Sequence, residues 1–211
     1  MAALDLRDVR TVFLDRDGTI NVKAAEGEYI MAPAEIVLLP GAAKAVAALN
    51  AAGLRAVLVT NQRWLSKQSA NPTLFAAVQD RLVQLLADEG AWLDATYHCP
   101  HAADSCDCRK PLPGMLLQAA REHGLDLAKS VMIGDSDVDV MAGKAAGTAT
   151  VLLRSGGGDA AGADAVVKDL AAAVQLILGA KKSRRVRRSE GCLAAFERYA
   201  QLGCLKRQSN T

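Results

Sequence analysis

The chain has 211 residues, 51% of them hydrophobic, which is enough for one substantial domain with a buried core, plus an appendage. No run of about 18 apolar residues occurs, and the first residues, MAALDLRDVR, carry acids rather than a long apolar stretch; a membrane span and a secretory leader are not expected, and the chain reads as cytoplasmic. The formal net charge of +2 conceals an asymmetry, because residues 181–211 hold nine Lys/Arg and two Glu while the other 180 residues hold 16 bases and 21 acids, a mildly acidic body that gives no reason to expect nucleic acid as a partner.

In chain order, TVFLD (11–15) predicts a short buried strand. PGAAKAVAALNAAG (40–53) has helical apolar spacing and a Gly stop, and LRAVLVTN (54–61) predicts a second buried strand. Residues 73–89 form an amphipathic helix, and ATYHC (95–99) is a strand candidate. PGMLLQAAREHG (113–124) opens on Pro and closes on Gly, as a helix does. SVMIGD (130–135) predicts a third buried strand, followed by a helix over 137–146. TATVLL (148–153) and DAVV (164–167) predict strands, with RSGGGDAAG (154–162) as a flexible loop between them, and 169–179 a last helix. Strands alternating with helices, each strand apolar nearly throughout, predict an α/β fold: a Rossmann-like parallel sheet with helices on both faces. Residues 181–191, KKSRRVRRSEG, read as a linker or disordered arm, and 192–207 as an amphipathic helix. The expected division is therefore one domain over 1–180 and a basic extension over 181–211, disordered or carrying that short helix.

Three of these strands end in polar groups. The first delivers Asp15 and Asp17, the second Thr60 and Asn61, and the third Asp135 followed by Asp137 and Asp139. In an open parallel sheet, ligands bind outside the carboxyl ends of the strands. Three close carboxylates cannot all stay ionised without a cation, and an open cluster of acids favours Mg²⁺ over Zn²⁺. Mg²⁺, a basic residue and a hydroxyl together suit a phosphoryl group. Asp137 reads as a solvent-facing acid in the first turn of a helix.

The five cysteines lie at 99, 106, 108, 192 and 204, and three of them cluster with a histidine in CPHAADSCDCRKP (99–111). An odd, clustered count in a chain without an export signal points to metal rather than disulfides. Cys99, His101, Cys106 and Cys108 form C-x-H-x4-C-x-C, three thiolates and an imidazole that suit a closed, structural Zn²⁺ site; His98 is the alternative imidazole. Such a loop ends beside Arg109 and Lys110. Cys192 and Cys204 read as free thiols and His123 as structural.

DRDGT, a strand ending in Thr, Lys110 and GDSDVD occur in this order over roughly residues 9–180 and resemble the four motifs of the haloacid dehalogenase superfamily of phosphotransferases. The resemblance implies that Asp15 attacks phosphorus and forms a phosphoaspartyl intermediate, and that Asp17 serves as general acid and then general base. It implies Mg²⁺ held by Asp15, the backbone carbonyl of Asp17, and Asp135. Thr60 and Lys110 would bind the phosphoryl oxygens, with Asp139 in support. DRDGTIN, LVTNQ, C-x-H…C-x-C-RKPxPGML and IGDxxxD further resemble the branch of heptose-bisphosphate and histidinol-phosphate phosphatases. That branch has no large cap domain, so residues 20–39 and the zinc loop would shield the site. Asn61 and Arg109 match positions that contact substrate there, and Arg109 suits a second phosphate.

The chain departs from the branch after TNQ, where a small Ser-Gly turn is usual and RWLSKQ (63–68) stands instead. Trp64 either packs as part of a lid or joins Arg63 and Lys67 in adding charge toward substrate. The expectation is a monomeric Mg²⁺-dependent sugar phosphatase, acting on the C7 phosphate of a heptose 1,7-bisphosphate. Histidinol phosphate, a cationic substrate, is the alternative, and the cations Arg63, Lys67 and Arg109 favour the bisphosphate. A nucleic-acid-binding or DNA 3′-phosphatase protein using the basic tail is the alternative from another class, disfavoured because the tail lacks interleaved aromatics.

Overall fold

In the computed structural model, which describes residues 6–67, 71–155 and 160–181, the strand ends converge because of how the sheet is ordered. Strands β1 (Thr11–Leu14), β2 (Arg55–Asn61), β3 (Ala95–Cys99), β4 (Ser130–Gly134), β5 (Ala149–Leu153) and β6 (Ala165–Val167) form one parallel sheet in the order β3-β2-β1-β4-β5-β6. The chain moves outward from β1 to β2 and β3, then returns to the other side of β1 for β4, β5 and β6. The strand order reverses beside β1, so the switch point lies between β1 and β4, where a crevice opens. Asp15 and Asp17 follow β1, and Asp135 follows β4.

Alternate residues of each central strand enter two cores, because successive side chains point to opposite faces. Val12, Leu14, Ala56, Leu58, Val131 and Ile133 face the larger core with helices α1 (Ala42–Ala51), α2 (Pro72–Ala87) and α5 (170–181). Phe13, Val57, Val59 and Met132 face the smaller core, with α3 (Gly114–His123) and α4 (Asp137–Ala146). The α/β architecture expected from near-continuous apolar strands is the one observed, and residues 20–39 form no cap domain. That segment is held down by Ile20, Ile30 and Ile36 in the larger core, by a bridge between Asn21 and Leu38, and by a 3-10 turn over Pro33–Glu35.

Element limits differ from the expectations by one or two residues, for local reasons. The second strand starts at Arg55 rather than 54, since the Leu54 amide bonds back to the Leu49 carbonyl and closes α1. Helix α2 starts at Pro72 because the Asn71 side chain caps the Thr73 amide at 2.9 Å. Short 3-10 turns over Arg63–Ser66 and Leu127–Lys129 were not anticipated. The expected flexible loop falls partly on residues 156–159, and the expected linker (181–191), Lys181 apart, and helix (192–207) fall on residues 182–211; these lie outside the described residues, while Lys181 closes α5. No helix among the described residues is long and apolar enough to cross a membrane.

Phe13 is fully buried at the centre of the sheet, against the smaller core. Phe13→Ala is expected to lower stability by about 3–5 kcal/mol, read from urea unfolding at constant m.

Candidate active site

Beyond β1 the chain turns tightly. The Arg16 carbonyl accepts the amides of Ile20 and Asn21 at 2.9 and 3.1 Å, and the Gly18 amide reaches the Asn21 carbonyl at 2.7 Å. Gly18 has φ +86, and a Cβ there would lie 2.3 Å from Asp135 Oδ2, so only glycine lets this turn pass the end of β4. The turn exposes Asp15 and Asp17 to a cavity of 150 Å³ that Thr60, Asn61, Lys110, Asp135, Ser136 and Asp139 also line.

Lys110 is the hub. Its ammonium is buried and donates to Asp15 Oδ1 at 2.6 Å, Asp139 Oδ1 at 2.6 Å and the Val59 carbonyl at 2.8 Å. Burial works against a charged lysine, but Asp15 and Asp139 outweigh it and raise its pKa. Burial also pushes Asp15 up to about 7; Lys110 pulls it down and Asp139 adds to the rise. Both oxygens of Asp139 are engaged, since Oδ2 accepts from the Ser136 amide and hydroxyl at 3.2 and 2.6 Å. This capping box at the start of α4 is why the second acid of the GDxxxD pattern supports the site from behind.

Lys110 arrives there by a clamp. Asn61, at the end of β2, donates from Nδ2 to the Lys110 carbonyl at 2.9 Å and accepts the Lys110 amide on Oδ1 at 3.1 Å. The sequence reading gave Asn61 to substrate; in the structure its amide is occupied with the lysine backbone. Arg109, half-buried, has a buried Nη1 with no hydrogen-bond partner. Arg63 is exposed at the start of its 3-10 turn. Of the departing residues, Trp64 points inward and is 2% exposed, and Lys67 lies 4.7 Å from the centre of the Tyr29 ring, tying its loop to the 20–39 segment.

Among the described residues two donor groups could hold metal. Single carboxylate oxygens of Asp15, Asp135 and Asp139 lie within 4.8 Å of one another. Asp139 is saturated by Lys110 and Ser136, so Asp15 and Asp135 are the available acids. The exposed Lys23 ammonium sits on Asp135 Oδ2 at 2.6 Å, a cation drawn to this surplus of anions. Hard oxygen donors of this kind fit Mg²⁺. In the second group, Cys99 Sγ lies 3.5 Å from Cys106 Sγ, Cys108 Sγ lies 3.3 Å from Cys106 Sγ, and His101 Nδ1 lies 3.2 and 3.6 Å from Cys108 and Cys99 Sγ. A tetrahedral zinc with bonds of about 2.3 Å needs sulfurs roughly 3.8 Å apart, so this donor set fits it with slight expansion. His98, the other imidazole, turns away and stacks at 4.4 Å on Phe75. Burial raises the Cys99 thiol. At Cys106 burial is outweighed by hydrogen bonds from Cys108 and Cys99, which hold it at about 7.

Asp17 lines the same cavity, and both of its carboxylate oxygens are hydrogen-bonded. Its Oδ1 accepts from Arg16 Nε at 3.1 Å and Asn21 Nδ2 at 2.9 Å, and its Oδ2 from Arg16 Nη2 and Gln62 Nε2, both at 3.0 Å. Thr60 Oγ1 accepts from Gln62 Nε2 at 2.8 Å. Sequence reasoning assigned no role to Arg16, Asn21, Gln62, Lys23 or Ser136. Arg16 and Asn21 stand inside DRDGTIN, Gln62 inside LVTNQ and Ser136 inside GDSDVD, and that adjacency was the one signal available for them.

Residues 2–147 match the haloacid dehalogenase-like hydrolase family. The D-glycero-beta-D-manno-heptose-1,7-bisphosphate 7-phosphatase of Mesorhizobium japonicum is 42% identical over 146 residues, 65% of this chain and 66% of that protein. The enzyme of the same name from Vibrio cholerae is 40% identical over 154 residues, 69% of this chain and 81% of that one. The crystal structure of D,D-heptose 1,7-bisphosphate phosphatase from B. bronchiseptica, complexed with magnesium and phosphate, superimposes with a TM-score of 0.74 at 36% identity, covering 81% of this chain and 99% of that one. The chain belongs to the haloacid dehalogenase-like hydrolases, in the branch that holds the heptose-bisphosphate phosphatases, and is a phosphoric monoester hydrolase.

Proposed function

We propose that the protein is a Mg²⁺-dependent heptose 1,7-bisphosphate phosphatase that removes the C7 phosphate through a phosphoaspartyl intermediate. The observation that carries this reading is the convergence of Asp15, Asp17, Thr60, Lys110 and Asp135 on one cavity of 150 Å³, room for a phosphoryl group. The relatives of that name support the sugar. The unpartnered Nη1 of Arg109 supports a second anion on the substrate, because a buried guanidinium nitrogen without an acceptor is costly. An adjoining cavity of 190 Å³, which shares Asp17 and Asn61 with the first and reaches Lys23, Glu28 and Tyr29, offers space for the sugar.

In this reading the Asp15 carboxylate attacks phosphorus as the bond to the sugar oxygen breaks, and Asp17 gives that oxygen a proton. Water, deprotonated by the Asp17 carboxylate, then attacks phosphorus. The P–O bond to Asp15 breaks and inorganic phosphate leaves. Lys110 and the Thr60 hydroxyl meet the charge that develops on the phosphoryl oxygens. Mg²⁺, held by Asp15, the Asp17 carbonyl and Asp135, would neutralise the phosphate and the carboxylates around it. Zinc on Cys99, His101, Cys106 and Cys108 would fix the loop that presents Arg109 and Lys110. The phosphatase unit is residues 1–180, and 181–211 is an extension to it.

Turnover of a panel of substrates tests the assignment. The heptose 1,7-bisphosphate is expected to lose its C7 phosphate with kcat/KM at least about tenfold above that for histidinol phosphate; a preference for histidinol phosphate, or for a 3′-phosphorylated oligonucleotide, would overturn it. Asp15→Asn is expected to cut kcat below about one ten-thousandth with unchanged circular dichroism, and substantial activity would remove Asp15 as nucleophile. Elemental analysis is expected to find about one zinc per chain, lost in Cys106→Ser; zinc retained in that variant would disprove the ligand set.

A further inference from the structure

The residues behind the cavity form a network that the mechanism above does not use. Arg16, Gln62 and Trp64 are 1%, 3% and 2% exposed. Gln62 Oε1 accepts two hydrogen bonds, from Trp64 Nε1 at 3.0 Å and Arg16 Nη2 at 3.2 Å. Two donors on that atom fix which way the amide faces, so its NH₂ group must face the cavity. There Nε2 donates to Thr60 Oγ1 at 2.8 Å and to Asp17 Oδ2 at 3.0 Å. All four hydrogen-bonding positions of the Gln62 side chain are therefore used. Arg16 is anchored in turn, since its Nη1 donates to Gln79 Oε1 on α2 at 2.8 Å. Trp64 is anchored by its edge-on packing against Phe75, at a ring separation of 6.3 Å.

We infer that Gln62, held by Trp64 and Arg16, is the positioning residue that aims the Asp17 carboxyl and the Thr60 hydroxyl at the substrate. A hydroxyl that accepts from Gln62 has its own proton free to donate into the cavity. A carboxyl held by Gln62 and Arg16 cannot rotate away from the leaving oxygen. Both groups are hydrogen-bonded to one buried cluster of Arg16, Gln62 and Trp64, and such fixed placement is the condition for preorganised catalysis. Trp64, in the turn where the chain departs from its branch, is part of this device rather than a lid facing substrate.

The inference rests on the proposed role of Asp17 as proton donor, so the test measures proton donation. Release of the leaving group in the first turnover is compared for an alkyl ester, the heptose 1,7-bisphosphate, and for 4-nitrophenyl phosphate, whose leaving group departs without a proton. The variants are Gln62→Leu, Trp64→Phe and Asp17→Asn. Trp64→Phe keeps the aromatic packing and deletes only the Nε1 donor. The alkyl-to-aryl rate ratio is expected to fall by roughly 10- to 100-fold in Gln62→Leu and by about tenfold in Trp64→Phe. A merely structural role lowers both rates together and leaves the ratio unmoved. If the ratio collapses in Asp17→Asn but stays within about twofold of wild type in both other variants, Gln62 does not position Asp17 and this inference fails alone. If Asp17→Asn leaves the ratio unmoved, the acid role of Asp17 fails, and the inference with it.

Discussion

Everything at this site depends on one ammonium group buried between two carboxylates. Taking a lysine and two aspartates out of water costs several kcal/mol for each ion, and only close, well-aligned pairing offsets it. The chain meets that demand with contacts of 2.6 Å from Lys110 to both Asp15 and Asp139, and a third acceptor at the Val59 carbonyl. The positions of these three side chains at the cavity wall are therefore fixed before any ligand arrives. Asp135, outside this triad, is left with an exposed lysine as its partner. That leaves it the acid most easily given over to a metal.

The sheet supplies the convergence and the loops supply the precision. Strands β1 and β4 are neighbours, so their carboxyl ends deliver acids to one crevice. Lys110, however, sits in a loop far along the chain. It reaches the crevice because Asn61 pairs with both its backbone groups, as a neighbouring strand would. The cysteine loop restrains the same segment from the other side. Gly114 at its exit is packed so closely that a Cβ would lie 2.3 Å from the Asp107 carbonyl. Two restraints, one an amide and one a loop drawn together by three thiols and an imidazole, thus act on a single lysine.

The fold was legible because its signals are local. Apolar strands such as AVLVT are bounded by Gly and by polar ends, and two-sided burial leaves no alternation to misread. The acids of the site were legible because they lie next to each other in the motifs at strand ends. What could not be read is what depends on long separations. The Lys110–Asp139 pair spans 29 residues and the Arg16–Gln79 bond 63, and neither leaves a pattern in the chain. The pairing of Asn61 with the Lys110 backbone could not be read, because a side chain that bonds a distant backbone looks in sequence like any strand-end amide. Trp64 stood between two readings, and its inward course was decided by Phe75 and Gln62, neither of which a sequence window can place beside it.

The small volume beside Asp15 has a consequence for how such a protein changes over time. A space of 150 Å³ bounded by strand ends takes in the reacting group and little else. On the proposed reading, the remainder of the substrate rests on the 20–39 segment and on the end of β2, which line the adjoining cavity. Exposed side chains there, such as Arg63 and Val37, can be exchanged without disturbing the acids, the lysine or the sheet, whereas Asn21, Gln62 and Trp64 cannot. On the proposed reading, bond cleavage and the choice of molecule rest on different residues of the same loops. Drift in the latter can yield a new preference while the former stays intact.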